Sequence, residues 1–299
     1  MEKEWKIQMM NKKWILLISI ILTIGLLSAC GKGNDQTAGH EGHGGQNAND
    51  AKSGDNGGHG GHGEDEQPVS GSPEASFTFV SGGAKAKEET EISIQIMGDD
   101  GKPINDFEVS HEKLLHLIIV NHDLSFFNHI HPEFQGDGKF TVDTVFPAGG
   151  EYKAFADFIP SGGTNATLSE WIEVEGEEGE HADITPDSNL VKEVDGKEFE
   201  LALSGTKPKE ETTLTFTIRD AGTKEGIEDL EPYLGAVGHV VILSADAENY
   251  LHVHPLDEKA TGPVAEFATT FPQSGTYKIW GQFQHNGEVI TVPFVVEVK

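Results

Sequence analysis

Three histidines and a proline recur at matched positions in two halves of the chain. His116, His129, His131 and Pro132 correspond to His239, His252, His254 and Pro255, each pair 123 residues apart with no gap between the two runs. Around them the copies diverge: Asn121 corresponds to Ser244, His122 to Ala245 and Phe127 to Tyr250. A duplicated run that drifts elsewhere while holding three imidazoles points to metal coordination. An isolated His-x-His pair could instead be a solvated stripe, or histidines that hydrogen-bond the backbone.

Each run reads as a β-hairpin. Residues two apart on a strand point to the same face, so His129 and His131 are neighbours, as are His252 and His254. A turn centred between Asp246 and Ala247 sets His239 opposite His254; the equivalent turn sets His116 opposite His131. Opposed Cα atoms lie about 4.5–5.5 Å apart, so three imidazoles can meet on one ion at about 2.0–2.1 Å. Two sites are expected, one per copy, unless both clusters meet at a shared interface.

Imidazole suits copper, zinc, nickel and iron. Cys30 is the only cysteine, and beyond the leader the only methionine is Met97. A blue-copper centre and a methionine-rich Cu(I) site are therefore not expected. Copper(II) leads on the divalent affinity order, with zinc second. Three histidines leave one position for water or a further ligand. Asp157 and His285 lie on the last strands, but neither recurs in the other copy, so neither is taken as a ligand. His111 and His122 correspond to Leu234 and Ala245, and both are expected on the surface.

These hairpins must be carried by strands. Glu91-Ile-Ser-Ile-Gln-Ile and Thr213-Leu-Thr-Phe-Thr-Ile alternate polar and apolar residues, as half-buried strands do. Phe146-Pro-Ala-Gly-Gly-Glu-Tyr and Phe271-Pro-Gln-Ser-Gly-Thr-Tyr repeat as well, and each Gly-x-Tyr resembles the tyrosine corner of Ig-like domains. Tyr152, Phe155, Tyr277 and Trp280 are expected in the core. No amphipathic helical stripe follows the leader. The fold class is all-β: two tandem antiparallel β-sandwich domains of Ig-like or cupredoxin-like type, at 75–176 and 196–299, joined by a linker at 177–195.

The N-terminal part reads differently. Lys12 and Lys13 precede an apolar run ending in Leu27-Ser28-Ala29-Cys30, which resembles a lipoprotein signal with Cys30 as the lipidated residue. An ordinary signal peptide or an uncleaved anchor are the alternatives. Loss of 1–29 removes four lysines and two glutamates, so the formal charge goes from −29 to −31. So acidic a chain is not expected to bind nucleic acid. Residues 30–74 are rich in Gly, His, Asp and Asn and read as a disordered tether. Its His40–His43 and His59–His62 pairs are candidates for weaker metal capture.

The stretches from His111 to Glu133 and from Asp229 to Pro255 resemble secreted or lipid-anchored bacterial proteins with repeated Ig-like or cupredoxin-like domains that bind copper or other heavy metals. The resemblance covers about 75–299. It implies a β-sandwich and metal handling at the cell surface, carried by His116, His129, His131, His239, His252 and His254. It implies no electron transfer, because the cupredoxin cysteine is absent.

The expectation is a metal-binding lipoprotein on the extracytoplasmic face of a cell membrane, Gram-positive for example. It would sequester copper(II) or deliver it to a membrane transporter. It is not expected to be an enzyme, since no phosphate loop or nucleophile elbow occurs. The alternatives are a zinc-binding protein and an Ig-like structural or protein-interaction scaffold of the cell envelope.

Overall fold

The computed structural model describes residues 72–251 and 253–299, all within one compact unit, His62–Lys299. The leader, Cys30, His40, His43, His59, His62 and His252 lie outside the described residues. Among the described residues every regular element is a strand.

The first domain contains β1 (Glu74–Phe79), β2 (Ala84–Lys85), β3 (Glu89–Met97), β4 (Phe107–Glu108), β5 (Leu115–Asn121), β6 (Phe127–Ile130), β7 (Glu133–Gly136), β8 (Lys139–Val145), β9 (Gly150–Pro160) and β10 (Ala166–Glu175). One sheet has the order β1-β3-β8-β7, the other β2-β10-β9-β5-β6, with β4 also paired to β9. These are the A-B-E-D and G-F-C orders of an immunoglobulin sandwich, with β6 added beside the C strand.

The second domain contains β11 (Val191–Val194), β12 (Lys197–Leu203), β13 (Glu211–Asp220), β14 (His239–Ser244), β15 (Tyr250–Leu251), β16 (His254–Pro255), β17 (Val264–Thr270), β18 (Gly275–His285) and β19 (Glu288–Val298). Its sheets run β11-β12-β13-β17-β16 and β15-β14-β18-β19. Leaving out β11 here and the two-residue strands β2 and β4 there, the two domains have the same strand order. β11 lies inside the segment read as a linker. That segment is pinned further by the Asp187 carboxylate, which accepts from the Val295 amide at 2.8 Å.

Alternation builds each core. Ile92, Ile94 and Ile96 of β3 are fully buried, as are Leu214, Phe216 and Ile218 of β13. The tyrosine corners form as the Gly-x-Tyr pattern implies. Tyr152 Oη donates to the Ala148 carbonyl and Tyr277 Oη to the Gln273 carbonyl, each at 2.9 Å.

A third apolar cluster joins the domains. It holds Ile118, Val120, Leu124 and Phe155 from the first and Val241, Leu243, Ala247 and Trp280 from the second. These are equivalent positions, so each domain uses the same patch against the other, as in an isologous dimer. The ring contacts exchange accordingly: Phe127 stacks on Trp280 at 4.6 Å, and Tyr250 lies 5.7 Å from Phe155. The equivalent lysines reach across as well. Lys153 Nζ donates to Glu248 Oε1 and Lys278 Nζ to the Leu124 carbonyl, both at 2.7 Å. Leu124 (φ 54°) and Ala247 (φ 56°) hold left-handed backbone at the tips of matching turns, and both are fully buried in this cluster. Left-handed backbone opposes such residues by about 1–2 kcal/mol each, which burial of Leu124 offsets.

Candidate metal centre at the domain junction

Strands β5 and β6 pair Leu117 with Ile130 and Val120 with Phe127. One step further this register sets His116 opposite His131, the hairpin expected from the spacing. Together with His129 of β6, they offer ring nitrogens within 4.8 Å of one another. The second hairpin begins in the same register, with Ile242 opposite Leu251 and Leu243 opposite Tyr250. It then stops. His254 crosses to the other sheet and pairs with Ala268 of β17, so the expected His239–His254 pair does not form. The physical reason is sheet switching: Leu251 and Val253 are buried in the second core, and the strand changes sheets immediately after them.

His239 instead meets the first copy. Its ring is stacked on His116 at 5.5 Å with 8° between planes, and lies 4.8 Å from His129. His111, expected on the surface, is half-buried with its ring 5.3 Å from His239. It sits at the tip of a two-residue turn, φ 47° followed by 65° at Glu112, closed by reciprocal Ser110–Lys113 backbone bonds. Among the described residues, five imidazoles from both domains thus share one neighbourhood, and His254 is near enough to act electrostatically on His111. Of the second predicted site, His239 lies beside the first cluster and His254 pairs with Ala268, while His252 lies outside the described residues. His122 is exposed, stacks on Trp171 and bonds Glu151. His285 bonds Asp229 at 3.2 Å.

The outward nitrogens of two rings are anchored. His116 Nε2 faces the Ser110 carbonyl at 2.9 Å. A carbonyl only accepts, so Nε2 carries the proton and Nδ1 presents a lone pair. That lone pair faces His129 Nε2 at 3.1 Å. On its other side, His129 Nδ1 meets Gln282 Oε1 at 2.6 Å, and Gln282 Nε2 donates to Thr291 Oγ1 at 3.2 Å. With the amide oriented this way, Nδ1 holds the His129 proton and two bare nitrogens point at each other. His131 Nε2 is also buried, with no hydrogen-bond partner among the described residues. Leaving such an atom unpaired costs about 1–3 kcal/mol, and a cation answers all three nitrogens at once.

Burial keeps these rings uncharged. It lowers His129 to about 3, against the opposing Gln282 bond, and His131 to about 4, with His116 and Lys113 adding to the effect. His239 falls well below the usual range, by burial and then by its histidine neighbours. Burial lowers His116 and His111 as well. Neutral imidazole is the form that ligates metal. Asp157 is cross-strand to His116 on β9; its carboxylate accepts from Asn165 Nδ2 at 3.0 Å and Thr167 Oγ1 at 2.7 Å.

Two contributors were missed in the sequence, His111 and Gln282. Gln282 has a legible signal: it corresponds to Asp157 in the repeat, a polar residue inside an apolar strand, cross-strand to the histidine in each copy. His111 has none beyond its closeness to His116.

Residues 71–176 and 192–299 each match one family, described as a domain of unknown function (DUF8832). The chain belongs to that family and carries its domain twice. No curated protein matches the chain. Among solved structures, FdeC, an Escherichia coli adhesin, is similar at 18% identity with a TM-score of 0.26, over 75% of this chain and 64% of that one. Invasin, a bacterial integrin-binding protein, is 13% identical with a TM-score of 0.22, over 75% and 39%. Tandem Ig domains of titin are 11% identical with a TM-score of 0.20, over 77% and 97%. The chain spans less than two thirds of the FdeC and invasin structures, and likenesses at these scores bear on no function.

Proposed function

We propose that this chain is an extracytoplasmic metal-binding module built on two Ig-like domains. Its site takes a divalent ion that favours imidazole, copper(II) before zinc. The supporting observation is the convergence of His116, His129 and His131, with His116 held in one tautomer by the Ser110 carbonyl and His131 Nε2 buried without a partner. An outer bond of this kind orients a ligand and fixes which nitrogen it offers. The donor set is all nitrogen, which suits copper(II) and zinc and disfavours magnesium or calcium.

The residues outside the described ones support the setting through sequence alone. Cys30 in its lipobox-like context would anchor the chain to a membrane, and His40, His43, His59 and His62 would capture ions for the junction. The role is binding without catalysis: sequestration, or hand-over to a metal transporter.

Calorimetric titration of the full chain with copper(II) and with zinc, beside His129→Ala/His131→Ala, tests the reading. A tight phase present in the chain and absent from the variant supports it. Identical isotherms would move any binding to the tether histidines. A second reading, an Ig-like scaffold of the cell envelope, is favoured by the apolar junction that holds the tandem in one arrangement. It predicts that the double variant changes no ion binding.

A further inference from the structure

The junction cluster has a property that neither domain has alone. His116, His129 and His131 come from the first domain, yet the acceptor that orients His129 is Gln282 of β18 in the second. His239, the first residue of β14, adds a fourth ring from the same side. An ion about 2.0–2.1 Å from each nitrogen in a tetrahedral set places ring centroids about 5 Å apart. The observed separations are 5.3 Å for His116–His129, 5.0 Å for His116–His131 and 4.8 Å for His129–His131. His239 lies 4.8 Å from His129 but 5.5 Å from His116, and its nitrogens fall outside the 4.8 Å group formed by the other three, so its ring must turn to reach the same ion.

His239 is also held close by its backbone. Gly238 precedes it, and a Cβ there would meet Phe283 Cδ1 at 2.6 Å and the Gln282 carbonyl at 2.8 Å. Only glycine lets β14 start this close to β18, which places His239 beside Gln282, its cross-strand partner.

Resting on the metal-binding reading, we propose that the ion is a clamp between the two domains: His239 is its fourth ligand and Gln282 a positioning residue that fixes the His129 tautomer. Ion binding and domain docking are then linked, because a ligand that binds only the docked form stabilises that form. The same linkage gives a release route. Undocking withdraws His239 and Gln282 together and leaves three histidines with a weaker hold, which suits an ion that must be passed on.

Gln282 separates two proton arrangements. With Oε1 toward His129, Nδ1 is protonated and Nε2 is free for the ion. With the amide turned, the proton moves to Nε2 and bonds His116, and the site is closed to metal.

The test uses copper(II) and the full chain. Calorimetry gives affinity, electron paramagnetic resonance counts nitrogen ligands, and hydrogen exchange follows β5 and β14 with and without the ion. His239→Ala and Gln282→Ala are each expected to weaken binding by about 10–100-fold, with His122→Ala unchanged. His239→Ala is expected to remove one imidazole from the spectrum; Gln282→Ala is not. In the unmodified chain the ion should slow exchange in β14, a measurement that holds even where a variant fails to fold. An ion bound by the unmodified chain without slowing β14, or bound equally by His239→Ala with an unchanged spectrum, would overturn the clamp and leave the metal reading standing. Absence of tight binding to the unmodified chain would overturn both.

Discussion

The two histidine hairpins start alike and end apart. Both turn through a buried left-handed residue, Leu124 or Ala247, and both return in the same register. In the first, β6 continues through Ile130, and His129 and His131 stay beside His116. In the second, β15 ends at Leu251 and His254 joins β17. Asn128, which donates to Thr144 Oγ1, stands in the first where Leu251 enters the second core. Identical ligand residues at identical spacing therefore pair His116 with His131 in one copy, while in the other His239 and His254 part to different sheets, His254 still acting electrostatically on His111. Two residues of strand length, four in β6 against two in β15, decide the matter, and side-chain burial sets that length.

The largest effect should separate the copies outright. His129→Ala/His131→Ala is expected to abolish the tight phase of copper(II) binding, and His254→Ala to leave it in place; calorimetry on both variants decides. Equal losses would restore two equivalent sites and break the comparison.

Next comes the junction on which the shared cluster depends. Trp280→Ala should destabilise the protein by about 3–5 kcal/mol in urea unfolding, since this ring is buried and stacked on Phe127. A loss below about 1 kcal/mol would mean that the domains do not rely on each other.

The metal-free protein should also weaken in acid. His129 and His131 titrate near about 3 and about 4 when folded, and near about 6.5 in an unfolded chain. The unfolded chain then takes up protons first. Stability is complete above about pH 6.5 and falls as pH drops from there toward 4 and 3. Thermal melts across that window check the direction, and His129→Ala/His131→Ala should flatten the slope.

The smallest effects should be symmetric. Tyr152→Phe and Tyr277→Phe each remove one tyrosine-corner bond and should cost about 0.5–1.5 kcal/mol. A marked difference between them would show that the copies differ in the sandwiches as well as in the hairpins.

Much of this was legible in the chain. The alternation of Glu91–Ile96 and Thr213–Ile218 marks half-buried strands, and Gly-x-Tyr marks the corners. The hairpin register follows from histidine spacing and turn position. What the spacing cannot carry is where β15 stops, because that depends on Leu251 and Val253 finding room in a core built from distant strands. Docking left a signal that histidine spacing hides. Leu117–Val120 and Val240–Leu243 are continuous apolar runs, buried throughout, unlike the alternating β3. Such runs belong to strands covered on both faces, and here the second cover is the other domain. The convergence of His239 on His116 follows only once those two faces meet.

The central claim, that both halves contribute to one ion, is tested most directly by counting ions per chain. Native mass spectrometry of the copper-loaded protein, compared with His129→Ala/His131→Ala and with His254→Ala, gives that count. The account predicts one tightly held ion beyond any bound by the tether, lost in the double variant and kept in His254→Ala. Two tightly held ions, one lost in each variant, would contradict it.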